Sequence, residues 1–387
     1  MKKTAKYQEA TFLSMVVLFW FAQYVYIPYQ TMFLAACGVT SSFAGIIVGA
    51  YGISQLILRL PVGLLADTAG LHKPFILLGC LASGAASLLR IFTPGGTGFL
   101  IANLFSGLAS SMWISFMVFY TEGYPKEEQQ AATSRIILFN NAGILLGFIA
   151  STVLYDRTGM QFICILSLLA GIIACLLGLS LQEEKEVIKH IPLKQLLGVC
   201  TKKRIWMFSL IALIQQGIQL TTTMSFTSQI LKDLGATGAI VGMASIVYMI
   251  SAVSFSGFAS SKFCTKIGPK FWIPAVLLIV AVYCILVPRV NSIPLIFLLQ
   301  ILPGMSTGIL FSYVTSEAMI DIPVQNKSTA MGFYQAFYAL GMTFFPIFTG
   351  EAAVRYSMKT GYLILAVIAV LGGVAVSIFY ACQSKKG

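Results

Sequence analysis

Twelve apolar runs of about twenty residues follow one another along this chain with short polar gaps between most of them. Crossing the hydrocarbon core takes about 20 residues as a helix. Backbone groups in lipid must be satisfied within their own segment, so runs of this length can only be helices. They lie at 12–34, 43–65, 75–93, 98–120, 134–154, 161–181, 205–227, 239–260, 271–288, 293–315, 329–350 and 361–380. Turn signals such as TPGGTG, DRTG and VPRVNS fill the gaps. One gap differs: QEEKEVIKHIPLKQLLGVCTKKR, after the sixth run, is long and charged.

Only 10% of the residues are charged and 58% are hydrophobic. A soluble domain carries about 25% charged residues, so the outer surface here is expected to face lipid. The apolar run after MKKTAKYQEA is too long for a signal-peptide core and reads as a retained first span. The net charge of +12 raises the question of nucleic acid, which the placement of the charges answers. With the N-terminus inside, the inner segments hold Lys2, Lys3, Lys6, Lys73, Lys126, Lys185, Lys189, Lys194, Lys202, Lys203, Arg204, Lys262, Lys266, Lys270, Lys327, Lys385 and Lys386. Arg59 and Arg135 stand near inner helix ends, and the outer ends hold only Arg90, Arg157, Lys232, Arg289, Arg355 and Lys359. This positive-inside bias accounts for the charge without nucleic acid and places both termini in the cytoplasm of a multi-pass inner-membrane protein.

The chain also repeats. Pro125, Ala132 and Gly143 recur as Pro323, Ala330 and Gly341 at a constant offset of 198, and Gly70 recurs as Gly268. The expected fold is an all-α membrane protein, with twelve transmembrane helices in two pseudo-symmetric six-helix bundles. The bundles cover 1–181 and 205–387, joined by a cytoplasmic linker at 182–204. Within the linker, IPLKQLLGVCTKKRIW reads either as an amphipathic helix on the inner leaflet or as a plain connection.

Between spans 2 and 3 stands Gly63-x-x-x-Asp67-x-x-Gly70-x-His72-Lys73, approached by Arg59-Leu-Pro61. This stretch resembles the loop signature of the major facilitator superfamily, and the twelve spans, the repeat and the long central loop extend the resemblance over the whole chain. The departures are Thr68 and Leu71, where the family usually has a basic residue, and the second-half counterpart GFASSKFCTKIGPK, which has Ser261 in place of the aspartate. Gly63 lets two helices approach and Gly70 lets the chain reverse. Asp67 can sit on the positive N-terminal end of a neighbouring helix or pair with a cation such as Arg135. The family's architecture implies that this helix is the eleventh, across the boundary between halves, and that the contact is a latch broken in each transport cycle. Gly63, Asp67, Gly70, Lys73, Glu122, Arg135 and Glu317 form the expected latch set, with plain charged loop residues as the alternative reading.

None of the thirteen carboxylates falls near the middle of a span, so coupling to protons through a mid-membrane acid is not expected. The family's fourth-span arginine is Asn103 here, and Phe148 stands where a fifth-span proline would follow Gly147. Span 11 keeps the fuller pattern, Gly341, Pro346 and Gly350. The interior instead offers uncharged polar groups. Gln23, Tyr24, Asn140, Asn141, Gln215, Gln219, Gln300, Gln335 and Tyr338 are the candidate solute-binding residues, with Tyr26, Gln30, Thr222 and Thr223 beside them. Gln215 and Gln219 share a face by i,i+4 spacing. An amide in lipid is costly, so each should face a wet cavity or bond to another helix as interhelical glue. A cavity of amides and aromatic rings suits a neutral polar solute such as a sugar or nucleoside.

The expected function is therefore a secondary transporter, in which two halves rock about a central solute site. Uptake of a polar metabolite competes with efflux of drugs or metabolites, and a non-transporting receptor or scaffold is the reading from another class. GxxxxGK[ST] is absent, which excludes an ATP-driven pump of that type. Eight scattered cysteines without CxxC spacing and two histidines, His72 and His190, point to no metal, cofactor or enzymatic site. Expected partners are a small-molecule solute and membrane lipid, with the chain acting as a monomer.

Overall fold

The computed structural model describes residues 3–39, 41–183 and 193–384. Linker residues 184–192, with Lys185, Lys189 and His190, and the terminal Lys2, Lys385 and Lys386 lie outside the described residues. Every regular element among the described residues is helical. The first stretch contains α1 (Lys3–Tyr24), α2 (Ile27–Ala36), α3 (Ser41–Ala69), α4 (Lys73–Phe92), α5 (Gly96–Ser111), α6 (Trp113–Glu122) and α7 (Gln129–Leu179). The short α8 (Leu193–Gly198) leads to α9 (Lys203–Thr221), α10 (Thr227–Asp233), α11 (Gly238–Ala259), α12 (Lys262–Ile267) and α13 (Pro269–Leu286). The last are α14 (Ile293–Leu299), α15 (Ile301–Met305), α16 (Phe311–Met319), α17 (Lys327–Arg355) and α18 (Met358–Ser384).

Among the described residues, ten stretches are long and apolar enough to cross a membrane. One of them, Lys126–Leu179, is 54 residues long, more than twice the need, and Gly159 turns the chain inside it at φ 73°. It therefore supplies two crossings, with the break at the DRTG signal. Helix α17 has the length for a crossing, at 29 residues, but is more polar than the ten. Counting it gives the twelve helices of the expected all-α fold.

The chain divides into two compact units. One comprises Met1–Gly123, Phe139–Cys200 and Ile322–Ala336; the other comprises Tyr124–Leu138, Thr201–Asp321 and Phe337–Gly387. In the first, Val25, Tyr26, Leu34, Ile47, Phe99, Met160, Ile163 and Cys164 form a buried apolar cluster. In the second, Leu231, Ala244 and Ile296 do so. The outward faces carry large apolar side chains, among them Phe92, Ile57, Leu176 and Val367, while Gln23, Asn103, Gln215 and Gln300 are buried. Polar inside and apolar outside is the arrangement of a multi-pass membrane protein.

The internal repeat reappears as matched irregularities. Helices α1 and α2 are separated at Val25 and Tyr26, and the same offset of 198 falls within a π-helical turn at Thr222–Phe226. Helices α5 and α6 part at Met112, whose counterpart Leu310 ends a second π turn, Ser306–Leu310. Close helix contacts match too. A Cβ on Gly143 would lie 2.4 Å from the Val17 carbonyl oxygen, and one on Gly341 would lie 2.2 Å from that of Leu213. The fifth and eleventh crossings thus lie directly on the first and seventh, each within its own unit. Gly70 and Gly268, at φ 60° and 81°, take the left-handed turn conformation open to glycine.

One charge departs from expectation. Arg90, assigned by the charge count to an outer helix end, is 1% exposed. Its polar partners, Ser87 on α4 itself and Asn103 and Ser106 on α5, hold it inside the first unit.

Candidate functional site

In the first unit the polar interior is organised around Ser106 and Ser110 of α5. Gln23 donates from Nε2 to the Ser106 carbonyl at 2.9 Å and to Ser110 Oγ at 3.1 Å. Tyr26 donates to Ser106 Oγ at 3.3 Å, and the Tyr51 hydroxyl lies 2.8 Å from Ser110 Oγ. Arg90 Nη2 donates to Asn103 Oδ1 and Ser106 Oγ, both at 2.8 Å, and Nη1 donates to Ser87 Oγ at 3.2 Å. Asn103 in turn donates to Gln30 Oε1 at 3.3 Å and to the Ile47 carbonyl at 2.8 Å. Two buried atoms on one face of α1 have no partner: the indole Nε1 of Trp20 and Oε1 of Gln23, three residues on. Trp20 packs edge-on against Trp113, with ring centroids 5.2 Å apart, and Tyr24 lies beside it at 5.6 Å. Asn140 and Asn141 are buried on α7 in the same unit.

In the second unit the expected Gln215–Gln219 pair is formed. Gln215 Nε2 donates to Gln219 Oε1 at 2.8 Å, Gln219 Nε2 to Tyr248 Oη at 2.7 Å, and Tyr248 Oη lies 2.7 Å from Thr307 Oγ1. Thr307 belongs to the second π turn, a feature frequent at functional sites. Gln215 Oε1, at the head of this chain of bonds, is buried without a partner. Gln300 belongs to a separate cluster, accepting from Tyr283 Oη at 3.1 Å, while Thr227 joins Tyr283 and Tyr362 at 2.9 Å each. Gln335 and Tyr338 stand three residues apart on α17; Gln335 is buried, and the Tyr338 ring packs on Phe311.

The motif between spans 2 and 3 is held by backbone groups. Asp67 accepts from the amides of Ser328 at 3.0 Å and Thr329 at 2.7 Å, one per carboxylate oxygen. These are second and third residues of α17, so the carboxylate caps a helix N-terminus where the dipole favours a negative charge. Four residues earlier, a Cβ on Gly63 would stand 2.2 Å from the Ser328 carbonyl oxygen. Four earlier again, Arg59 Nη1 donates to the Gln335 carbonyl at 3.0 Å. Positions 59, 63 and 67 thus form one stripe of α3 lying along the start of α17. At the offset of 198 the second unit places Thr265 opposite Gln130, hydroxyl to amide oxygen, at 3.4 Å. Ser261 is not the aspartate's counterpart in contact; it caps α12 by accepting from the Cys264 amide.

Lys73 is occupied elsewhere. Its Nζ donates to the carbonyls of Leu179 and Leu181 at 2.8 and 2.6 Å, at the C-terminal end of α7. Glu183 answers it, accepting from the amides of His72 at 2.6 Å and Lys73 at 2.8 Å at the start of α4. Each charge sits on the helix end of opposite polarity, a reciprocal cap that closes the first unit. His72 Nε2 lies 3.7 Å from Glu122 Oε2. Glu183→Ala is expected to cost about 1–2 kcal/mol through loss of this cap. A thermal melt in detergent checks it, and an unchanged melting temperature would contradict the assignment. In the second unit Glu317 is bonded to Arg204 Nη2 and accepts from Tyr380 Oη at 2.6 Å, while Arg204 Nε donates to the Glu317 carbonyl at 2.8 Å. Arg135 donates to Tyr124 Oη at 3.2 Å.

Sequence reasoning named neither Arg90 nor Glu183 nor Arg204 as site residues. The signal for Arg90 was present in an unusual form: Asn103 stands where the family has a span-4 arginine, and a guanidinium from α4 bonds to that asparagine.

The sequence matches the family model described as Major Facilitator Superfamily twice, over residues 12–230 and 209–386. It is 24% identical over 363 residues to an uncharacterized MFS-type transporter of Methanocaldococcus jannaschii, covering 90% of this chain and 91% of the relative. It is 20% identical over 348 residues to the staphylopine export protein of Staphylococcus aureus, covering 86% of each. Among solved structures, the human organic anion transporter MFSD10 (TETRAN) superposes with a TM-score of 0.80 at 13% identity, covering 97% of this chain and 100% of that one. The E. coli fucose:proton symporter FucP gives 0.75 at 13% identity, covering 95% and 97%. At these identities the two structural likenesses concern the fold.

Proposed function

This chain belongs to the Major Facilitator Superfamily and is a transporter, not an enzyme, and from that premise we propose that it carries a small polar organic solute by alternating access. The observation that carries this reading is the set of buried, unused hydrogen-bonding atoms at candidate residues: Gln23 Oε1 beside Trp20 Nε1 in the first unit, and Gln215 Oε1 in the second. A buried polar atom without a partner costs about 1–3 kcal/mol. In a protein that binds its cargo transiently, such atoms are the partners a hydroxyl or amide of the solute would take. The interhelical-glue reading accounts for the bonded atoms of these amides and leaves the orphaned ones unexplained. Residues 1–181 and 205–387 are proposed as the two moving bundles, with 182–204 as a linker on the cytoplasmic side and both termini there. Asp67 and Gly63 are proposed as the latch, engaged in the state described here.

A thermal-shift screen of the purified protein against sugars, nucleosides, organic anions and amphipathic cations, followed by flux in proteoliposomes, tests the reading. Gln215→Ala with Gln219→Ala is expected to weaken solute binding at least tenfold, the loss of about 1.4 kcal/mol, while the melting temperature falls only slightly. Loss of folding instead would return the pair to interhelical glue. Export is the second reading, favoured by the likeness to the staphylopine export protein over most of both chains. Accumulation against efflux in inside-out and right-side-out vesicles separates the two directions.

A further inference from the structure

We propose that Arg90 selects for an anionic group, so that the solute is a small organic carboxylate bound by this guanidinium inside the first unit. The inference rests on the transporter reading above and narrows its substrate class from small polar organic solutes to anionic ones. Arg90 heads the largest side chains that are fully buried. Its hydrogen-bond partners Ser87, Asn103 and Ser106 are all neutral, and its Nε has none. Among the described residues no carboxylate pairs with it. A guanidinium does not shed its proton, so burial cannot be relieved by neutralisation as it can for a lysine.

The fold offers only partial compensation. The Tyr26 ring lies 3.7 Å from the guanidinium carbon, and Arg90 stands in the last turn of α4, where the helix dipole favours a cation. Neither is a counterion. A methionine would fill the space without burying a charge, and replacing buried ions by apolar residues is commonly neutral or stabilising. A charge kept at such a cost fits a site that meets its counterion in the cargo. A carboxylate matches the guanidinium fork, with two acceptor oxygens for two N–H groups.

The surroundings fit the same ligand. Gln23 and Arg90 both bond to Ser106, which brings the orphaned Gln23 Oε1 and Trp20 Nε1 to the same polar interior as the cation. They supply an acceptor and a donor for the rest of a carboxylate-bearing solute. Tyr26, which covers the guanidinium, sits in the two-residue break between α1 and α2. A shift of α2 at that break is the movement that would uncover the charge.

The test uses the full chain in detergent and three proteins: wild type, Arg90→Met and Arg90→Lys. Probes are succinate, citrate, glutamate and benzoate, each paired with its neutral amide or ester, together with glucose, uridine and tetraphenylphosphonium. At least one carboxylate is expected to raise the wild-type melting temperature while its neutral counterpart does not. Arg90→Met is expected to melt at or above the wild type without ligand and to bind that carboxylate more weakly by about thirtyfold or more. Arg90→Lys, which keeps charge and loses the fork, should fall between them and serves if the methionine variant misfolds. The proposal is overturned if carboxylates act no better than their amides, if only the neutral or cationic probes stabilise, or if Arg90→Met keeps wild-type affinity. Flux in proteoliposomes separates the two levels. Binding of a carboxylate that is never moved would sink the transport reading and keep the site. Transport of a neutral solute untouched by Arg90→Met would do the reverse.

Discussion

Glu317→Ala is expected to lower the stability of the second unit by about 3 kcal/mol, seen as a lower melting temperature with broadened unfolding in detergent. The carboxylate is 7% exposed and its partner Arg204 is 17% exposed, so neither charge is well screened by solvent. Removing one member of such a pair leaves the other buried and uncompensated, which typically costs about 3–5 kcal/mol. The lower end applies here because Asp321, 3.9 Å from Arg204 Nε, retains some attraction from a largely exposed position. The Tyr380 hydroxyl loses its acceptor as well. Replacing both charges, Arg204→Met with Glu317→Leu, should recover most of the loss, because the desolvation cost leaves together with the attraction. A double variant as unstable as Glu317→Ala would show that the ion pair is not what holds these helices. Together with the Tyr380 hydroxyl, the pair joins α9 to α16 and α18 within the second unit.

The sequence read most clearly where one local property decided the outcome. Hydropathy alone placed the runs at 75–93 and 239–260, and the helices are Lys73–Phe92 and Gly238–Ala259. The Gln215–Gln219 bond follows from helical spacing, because both partners sit on one helix. What stayed hidden depends on partners far along the chain. Arg90 near a helix end looks the same whether water or Asn103 and Ser106 receive its protons, and burial is decided by side chains on another helix. Glu183 lay in a charged linker with nothing to mark it, since its partners are two backbone amides 110 and 111 residues earlier. The breaks at Val25–Tyr26 and Met112 and the two π turns carry no signal in apolar periodicity, because each lies inside a run of membrane-spanning length whose hydropathy does not record how the backbone turns. Gln300 was gathered into the site by residue type, and the fold assigns it to a hydroxyl cluster with Tyr283.

Asp67→Asn is expected to shift the resting conformation by about thirtyfold and to cut transport severely while the protein remains folded. The substitution keeps the shape of the side chain and removes its charge from the N-terminal end of α17. One of the two oxygens becomes an NH2 group facing a backbone N–H, so one bond at 3.0 or 2.7 Å is replaced by a donor–donor contact. Hydrogen bonds to a charged group contribute about 1.5–3 kcal/mol, and about 2 kcal/mol corresponds to the expected shift. Maleimide labelling of a variant that keeps only the exposed Cys37, in the loop after α2, reads the conformational change. Gly63 offers an independent route to the same contact. A valine there would place its Cβ 2.2 Å from the Ser328 carbonyl oxygen, and a Cβ on Gly332 of the facing helix would also clash, at 2.6 Å from the Arg59 carbonyl oxygen. Gly63→Val must therefore part α3 from α17, lengthening the Asp67 bonds with the charge intact, and is expected to abolish transport. If the contact is a latch, both variants move Cys37 labelling in the same direction, one by chemistry and the other by sterics. Unchanged labelling in Asp67→Asn with normal transport would reduce the aspartate to an ordinary helix cap. A shift in Gly63→Val alone would mean that packing, not the carboxylate, holds this state.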